Sequence, residues 1–397
     1  MSSLNETPRS NRTHIGFFGK RNSGKSSLIN ALTGHHTAIV SDVPGTTTDP
    51  VFKSMEIHGI GPCVLIDTAG FDDVGELGKK RIEKTEQAAE KTDIAVVLFS
   101  GEDIAQETRQ VQKFRAQNVP VIPVVSKSDT LPDPKSYVET VRTATGTEPL
   151  LLNSNDPSCV RALRDKLIQA APDEERPTIV AHLVEEGDSV LLVMPQDIQA
   201  PKGRLILPQV QTIRELLDAQ CIVTCVTTDK LDNALAALAR PPKLIVTDSQ
   251  VFKTVYEKKP PESLLTSFSV LFAGYKGDLR YYVEGAAMID SLTPSSRVLI
   301  AECCTHAPLT EDIGRVKLPR MLRQRIGEAL TVDMVSGSDF PEDLSGYDLV
   351  IQCGACMFNR RYVMSRINRA KAQSVPMTNY GVAIAHLTGI LDKITLS

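Results

Sequence analysis

The sequence predicts an α/β protein of three consecutive α/β domains, the first built on a mostly parallel sheet. Two observations predict it. Short apolar runs with strand character alternate with helix-length segments along the whole chain. A charged, proline-containing stretch at 171–177, APDEERP, interrupts that alternation and reads as a linker. At 397 residues the chain is long enough for two to three domains, each burying its own core. The expected domains are 1–172, 178–268 and 269–397.

In the first, the strand 14–19 (HIGFFG) leads through a glycine-rich turn into a helix over 25–32, stopped by Gly34. A strand at 62–67 and a long polar helix around 78–91 follow. Then come a strand at 94–99, a helix around 106–117, a strand at 121–125 and a closing helix over 156–170. In the second, strands at 189–194, 222–226 and 244–246 alternate with helices at 209–219 and 231–239. A helix around 249–258 and an apolar run at 264–272 close it. This unit has no phosphate loop and no cluster of titratable groups, so packing or self-association is its expected role. In the third, which begins near Ala273, strands are expected at 297–301, 332–335 and 348–352, with helices at 320–330 and 360–372.

Composition excludes several classes. Hydrophobic residues make up 42% and charged residues 23%, as in soluble globular proteins. The net charge of −4 argues against nucleic-acid binding through a broad basic face. No apolar run reaches the ~20 residues that span a bilayer. The opening MSSLNETPRSNRTH holds no apolar core of a secretory signal. The expectation is a cytoplasmic protein with no membrane partner.

Gly19-Lys20-Arg21-Asn22-Ser23-Gly24-Lys25-Ser26 fits G-x-x-x-x-G-K-[ST] between a predicted strand and a predicted helix, the context the motif requires. Backbone N–H groups of Gly19, Asn22, Ser23, Gly24 and the following Ser27 can wrap phosphates. Lys25 can reach the β and γ oxygens, and Ser26 can ligate Mg²⁺. Asp67-Thr68-Ala69-Gly70 ends the next apolar strand, where Asp67 can hold Mg²⁺ through water and the Gly70 N–H can face a γ-phosphate. Between them, Pro44-Gly45-Thr46-Thr47-Thr48-Asp49-Pro50 offers a threonine to complete the Mg²⁺ shell, Thr47 by position and Thr46 as the alternative. Lys25, Thr47, Asp67 and Gly70 are the expected catalytic set.

Ser126-Lys127-Ser128-Asp129 resembles the N-K-x-D signature of GTPases. Asp129 can accept from guanine N1–H and the 2-amino group, and Lys127 can cover the base; Ser126 stands where that signature has asparagine. A final base-side signature falls at Asn153-Ser154-Asn155. Phe71 stands where Ras-like GTPases carry a glutamine. With Asn22 and the G-T-T-T-D stretch, the domain resembles the MnmE and Era groups. In MnmE-like members an asparagine matching Asn22 helps bind K⁺, which implies slow, K⁺-stimulated hydrolysis of GTP.

There are eight cysteines, which in a reducing compartment do not form a disulfide framework. Cys304-Thr305-His306 follows one late strand and Cys353-Gly354-Ala355-Cys356 follows another. On parallel neighbours both groups would lie at the carboxyl edge of the sheet, where ligands gather, with the helix after Cys356 aiming its N-terminus at them. Cys304, Cys353 and Cys356 with a weaker fourth ligand, His306 among the candidates, suit an Fe–S cluster or a Cys₃His zinc site. Cys303 points the other way along an extended chain and reads as a spare or packed thiol. Cys221 and Cys225 read as packed, and Cys63 and Cys159 as structural.

Over nearly its full length the chain resembles the [FeFe]-hydrogenase maturation GTPases, the HydF family. The resemblance rests on the order of parts, on the C-x-H…C-x-x-C pattern and on Gly203-Arg204-Leu205-Ile206-Leu207-Pro208-Gln209. It implies a GTPase domain at 1–172, a dimerisation domain at 178–268 and a cluster-binding domain at 269–397. It further implies a [4Fe–4S] cluster on Cys304, Cys353 and Cys356, a homodimer, and delivery of a diiron precursor bearing CO and CN⁻ to apo-[FeFe]-hydrogenase, downstream of two radical-SAM maturases. Gln352 stands where a histidine often precedes C-x-x-C. The fourth position then falls to His306, a carboxylate such as Glu302 or Glu311, water, or the incoming diiron unit. The alternative from another class is a tRNA-modification or ribosome-associated GTPase with a structural zinc site; a third is a GTP switch that recruits partners.

Overall fold

This computed structural model describes residues 8–33, 50–70, 76–153, 156–171, 177–195, 205–303, 313–337 and 339–396. The chain divides into two compact units, Met1–Glu175 and Arg176–Ser397.

The first unit runs β1 (Thr13–Gly19), α1 (Lys25–Thr33), β2 (Val51–Ile57), β3 (Gly61–Asp67), α2 (Glu76–Ala89), β4 (Ile94–Phe99), α3 (Ala105–Ala116), β5 (Val121–Val125), α4 (Pro134–Thr145), β6 (Leu150–Leu151) and α5 (Pro157–Ala170). Its six strands lie in the order β2-β3-β1-β4-β5-β6, parallel except for β2 against β3. Central strands read as unbroken apolar runs because helices cover both faces; β4, IAVVLF, is buried at every position. β1 lies between β3 and β4, so connections leave it in opposite directions and a crevice opens at its carboxyl end. Gly19 sits at that end with φ +152°, and a Cβ there would meet the Leu98 carbonyl at 2.7 Å.

The second unit runs β7 (Ser189–Val193), α6 (Leu207–Asp218), β8 (Ile222–Val226), α7 (Leu231–Ala237), β9 (Leu244–Thr247), α8 (Phe252–Lys258), β10 (Leu264–Ser267), α9 (Phe268–Lys276) and α10 (Leu279–Ala287). It continues with β11 (Arg297–Ala301), α11 (Leu318–Ile326), β12 (Thr331–Val335), β13 (Leu349–Gln352), α12 (Arg360–Ala372), β14 (Met377–Asn379) and α13 (Tyr380–Leu387). It carries two all-parallel sheets, β10-β9-β7-β8 and β12-β11-β13-β14. One apolar cluster joins them: Leu191 and Ile245 from the first, Leu299 and Val350 from the second, with Val270 and Ala273 of α9, Tyr282 of α10 and Ile367 of α12.

Several elements differ from expectation. The edge strand β2 was not among the expected elements; its side chains are exposed or half-buried except Ile57, which is buried. The apolar run 264–272 is a strand and a helix: Ser267 breaks it by accepting the Val270 N–H in an N-cap. The helix expected over 320–330 is α11, which stops at Ile326 because Gly327 takes φ +136°. Cys225 is exposed on the edge strand β8 rather than packed, whereas Cys221 and Cys63 are buried. Among the described residues no helix is long and apolar enough to cross a membrane.

Candidate functional site

At the carboxyl end of β1 the chain makes the glycine-rich turn and enters α1. Asn22 is exposed at φ +58° and Gly24 takes φ +91°. Ser23 is fully buried and its Oγ has no hydrogen-bond partner among the described residues. Lys25 is 7% exposed; its Nζ donates to the Gly19 carbonyl at 3.0 Å and the Lys20 carbonyl at 2.8 Å. These contacts fold the ammonium into the turn. Ser27 lies one residue further along α1, half-buried.

The turn meets the end of β3 through one side-chain bond. Ser26 Oγ donates to Asp67 Oδ2 at 2.6 Å, while Thr68 Oγ1 donates to the Phe17 carbonyl at 2.6 Å and pins the strand ends together. Burial pushes the Asp67 carboxyl up, and the Ser26 bond and the Lys25 and Lys53 charges pull it down less strongly. A buried carboxylate with few cations around it is a fit place for Mg²⁺. Gly70 is buried beyond it. Thr46, Thr47 and Phe71 lie outside the described residues.

Lys127 is exposed in a left-handed conformation, φ +55°, and opens the short 3₁₀ turn Ser128–Thr130 that carries the exposed Asp129. Ser126 is buried, and its hydroxyl donates back to the Phe99 carbonyl at 3.2 Å. Asn153 donates its N–H to Cys159 Sγ at 3.5 Å; Ser154 and Asn155 lie outside the described residues. Beside the turn lies a pair that no motif announces. Glu107, at the start of α3, is fully buried, its oxygens carry no hydrogen bond among the described residues, and Lys20 Nζ stands 3.6 Å from Oε2.

The second candidate site is at the carboxyl edge of the last sheet. β11 and β13 are parallel neighbours, with Ala301 opposite Gln352, so both cysteine-bearing segments leave the sheet side by side. Cys304, His306 and Glu311 lie outside the described residues, and Cys303, Cys353 and Cys356 within them. Of the two readings of Cys303, spare or packed, the packed one holds: the thiol is buried in the apolar cluster of this unit. Its N–H donates to Cys353 Sγ at 3.0 Å, and Arg366 Nη1, from α12, donates to Cys303 Sγ at 3.3 Å. The Cys303 thiol bonded to Cys353, with N–H groups of Ala355 and Cys303, holds Cys353 below the usual thiol range, against burial and the nearby Cys356. These local donors, rather than α12, are the cause: that helix begins at Arg360, capped by Asn359.

The loop is built to a fixed shape. Ala355 adopts φ +50°, and the buried Lys276 at the end of α9 donates to the carbonyls of Ala355 and Cys356 at 3.1 Å and Phe358 at 2.8 Å. Glu302, 3% exposed, has Oε2 taken by Arg315 at 3.0 Å and Ser336 at 3.3 Å, with Tyr380 at 3.5 Å from Oε1. Gln352 is buried with Oε1 unpartnered among the described residues. No group of three or more His, Cys, Asp or Glu lies together there among the described residues.

Comparisons with known proteins follow the same division. Residues 14–127 match the family described as 50S ribosome-binding GTPase, residues 179–277 the hydrogen maturase F dimerization domain, and residues 280–396 the hydrogen maturase F tetramerization domain. Similar curated proteins include the tRNA modification GTPase MnmE of Nitrosomonas europaea, 36% identical over 38% of this chain and 33% of that protein. GTPase Der of Wolinella succinogenes is 47% identical over 21% of this chain and 18% of that one. The chain spans about a third or less of the length of these relatives. Among solved structures, an Era variant from Aquifex aeolicus bound to GDP and AlF4⁻ covers 57% of this chain and 98% of its own, at 17% identity and a TM-score of 0.37. NFeoB of S. thermophilus covers 40% of this chain and 64% of its own, at 19% identity and a TM-score of 0.32. With a GTPase domain followed by both maturase F domains, which together take up more than half of its length, the chain belongs to the hydrogen maturase F family.

Proposed function

We propose that this chain is a GTP-hydrolysing scaffold that carries a [4Fe–4S] cluster and passes a diiron unit to apo-[FeFe]-hydrogenase. The single observation that carries the reading is the environment of Cys353. Two backbone N–H groups and a second thiol converge on its sulfur at the sheet edge, and they favour the thiolate that a metal needs. Cys353 and Cys356 would hold the cluster with Cys304, leaving one iron to an exchangeable ligand, His306 or the cargo itself. A bound cluster would supply an iron site for the diiron unit, bearing CO and CN⁻, as cargo. The protein's part would be to hold the thiolates on the loop whose carbonyls Lys276 fixes.

The first unit would bind GTP with Mg²⁺ through Gly19, Asn22, Ser23, Gly24, Lys25, Ser26, Ser27, Thr47, Asp67 and Gly70, with Lys127 and Asp129 on the base. Hydrolysis would be slow and stimulated by K⁺ near Asn22. The exposed edge strand β8, where Ile222 is 61% exposed, supports a homodimer through the middle sheet. Radical-SAM maturases would supply the cargo upstream, in the cytoplasm.

The test is anaerobic purification followed by hydrogenase activation with wild type, Lys25→Ala and Cys304→Ala proteins. The expected result is brown protein with a reducible [4Fe–4S] EPR signal, lost together with activation in Cys304→Ala. Colourless protein with stoichiometric zinc would sink the reading.

A further inference from the structure

Arg366 heads the largest fully buried side chains, at 1% exposure. Its guanidinium makes no ion pair with a carboxylate among the described residues. Nη1 donates to Cys303 Sγ at 3.3 Å, and Nη2 donates to the Gly337 carbonyl and to Tyr362 Oη at 3.1 Å; Nε has no partner among the described residues. The guanidinium carbon lies 4.8 Å from the ring centres of both Phe340 and Tyr362. A permanent cation so far from water is costly unless an anion faces it. What faces it here is sulfur: Cys303 directly, and behind Cys303 the sulfur of Cys353, which accepts the Cys303 N–H at 3.0 Å.

We propose that Arg366 is a positioning residue for the cysteine centre: through Cys303 it holds Cys353 in place and sets a fixed positive charge behind its sulfur. This rests on the reading that Cys353 ligates an iron–sulfur cluster. Reduction adds negative charge to such a cluster, so a nearby buried cation favours the reduced form and raises the reduction potential. An outer contact that fixes a ligand also strengthens metal binding. The aromatic faces and the fork of hydrogen bonds explain why arginine rather than lysine occupies the position.

The experiment uses the full chain reconstituted anaerobically with ferrous iron and sulfide. EPR-monitored redox titration gives the potential, and iron release to a chelator gives the binding strength. Arg366→Met and Arg366→Gln are expected to shift the potential to more negative values and to release iron about 10- to 100-fold faster. Arg366→Lys, which keeps the charge, should return the potential towards that of wild type. Cys303→Ala keeps the charge but cuts the link, so it should release iron faster with most of the potential retained. Wild-type potential and release rate in a folded neutral variant overturn the proposal. If neither neutral variant folds, unchanged iron release in Cys303→Ala overturns it. A wild-type chain that takes up no cluster would instead sink the underlying reading.

Discussion

Ser26 Oγ donates to Asp67 Oδ2 at 2.6 Å, and this bond joins the glycine-rich turn to the end of β3. The two oxygens are the inner and outer contacts expected of one Mg²⁺. Ser26→Ala and Asp67→Asn should each lower GTP turnover ~10²–10³-fold, because each removes charge stabilisation at the phosphates. Asp67→Asn should also need more Mg²⁺ to reach its maximum. Turnover measured against Mg²⁺ concentration checks both; unchanged rates would reduce the pair to a structural hydrogen bond.

Asn22 takes φ +58° at an exposed position in the turn. A left-handed residue there is explained by turn formation alone, since asparagine tolerates αL. Asn22→Gly separates the two roles, for it keeps the turn and removes the side-chain oxygen. The expected outcome is faster GTP turnover in KCl than in NaCl for wild type and equal rates for Asn22→Gly. Equal rates in wild type would remove K⁺ from the reading.

The buried Ser126 hydroxyl faces the Phe99 carbonyl, not a base, which leaves discrimination to the exposed Asp129. Inosine lacks the 2-amino group that one carboxylate oxygen would accept. Wild type should therefore prefer GTP over ITP by ~10–100-fold, the worth of one charged hydrogen bond, and Asp129→Ala should lose that preference. Ser126→Ala should leave it in place. Competition of the two nucleotides for a fluorescent guanine analogue measures it.

Glu107 is a carboxyl that burial pushes above its ordinary value of 4.5, more strongly than the charge of Lys20 pulls it down. A raised acid binds its proton more tightly in the folded chain than in the unfolded one. Its contribution to stability is therefore largest at low pH and is lost as pH rises from about 4.5 through the raised value. Glu107→Gln should raise the melting temperature of the first unit at pH 7–8 and flatten its pH dependence above about 4.5. Thermal melts across that range decide it, and a lower melting temperature at pH 8 would show that the Lys20 contact outweighs desolvation.

The sequence was legible where a residue's role is local. The glycine-rich turn, the buried central strands and the helix over 360–372 follow from spacing that any window of the chain displays. β2 was not legible, because at the sheet edge Val51 and Phe52 are exposed and the rest mixes Lys53, Ser54 and Glu56 with Met55 and Ile57, so no apolar run stands out. Cys303 shows a second limit. Strand alternation turns it away from its neighbour Cys304, which lies outside the described residues, but does not say what waits on the face that Cys303 occupies. Lys276 ends an otherwise apolar helix and Arg366 sits in a helix with other basic residues, and both look like solvated positions. Their burial depends on carbonyls and sulfurs brought from about 80 and 60 residues away.

The last of these contacts ties α9, where the first sheet of the unit hands over to the second, to the cysteine loop. Lys276 donates to three carbonyls of that loop, while Arg360 at the start of α12 donates back to the carbonyls of Gly274, Tyr275 and Gly277 at the end of α9. Each cation satisfies carbonyls that a helix end or a tight turn leaves open. Lys276 is buried and Arg360 is exposed, so the two differ in consequence. Lys276→Met should cost the second unit ~2–4 kcal/mol, because it strands buried acceptors. Arg360→Ala should cost ~0.5–1.5 kcal/mol, because water can replace it. Hydrogen exchange localises the effect: the Phe358 N–H, bonded to the Ala355 carbonyl at 3.1 Å, should lose protection in Lys276→Met before the amides of β11 and β13 do. Uniform loss across the unit would show a global role for Lys276, and unchanged protection would show that the loop holds its shape through Ala355 and Asn359 alone.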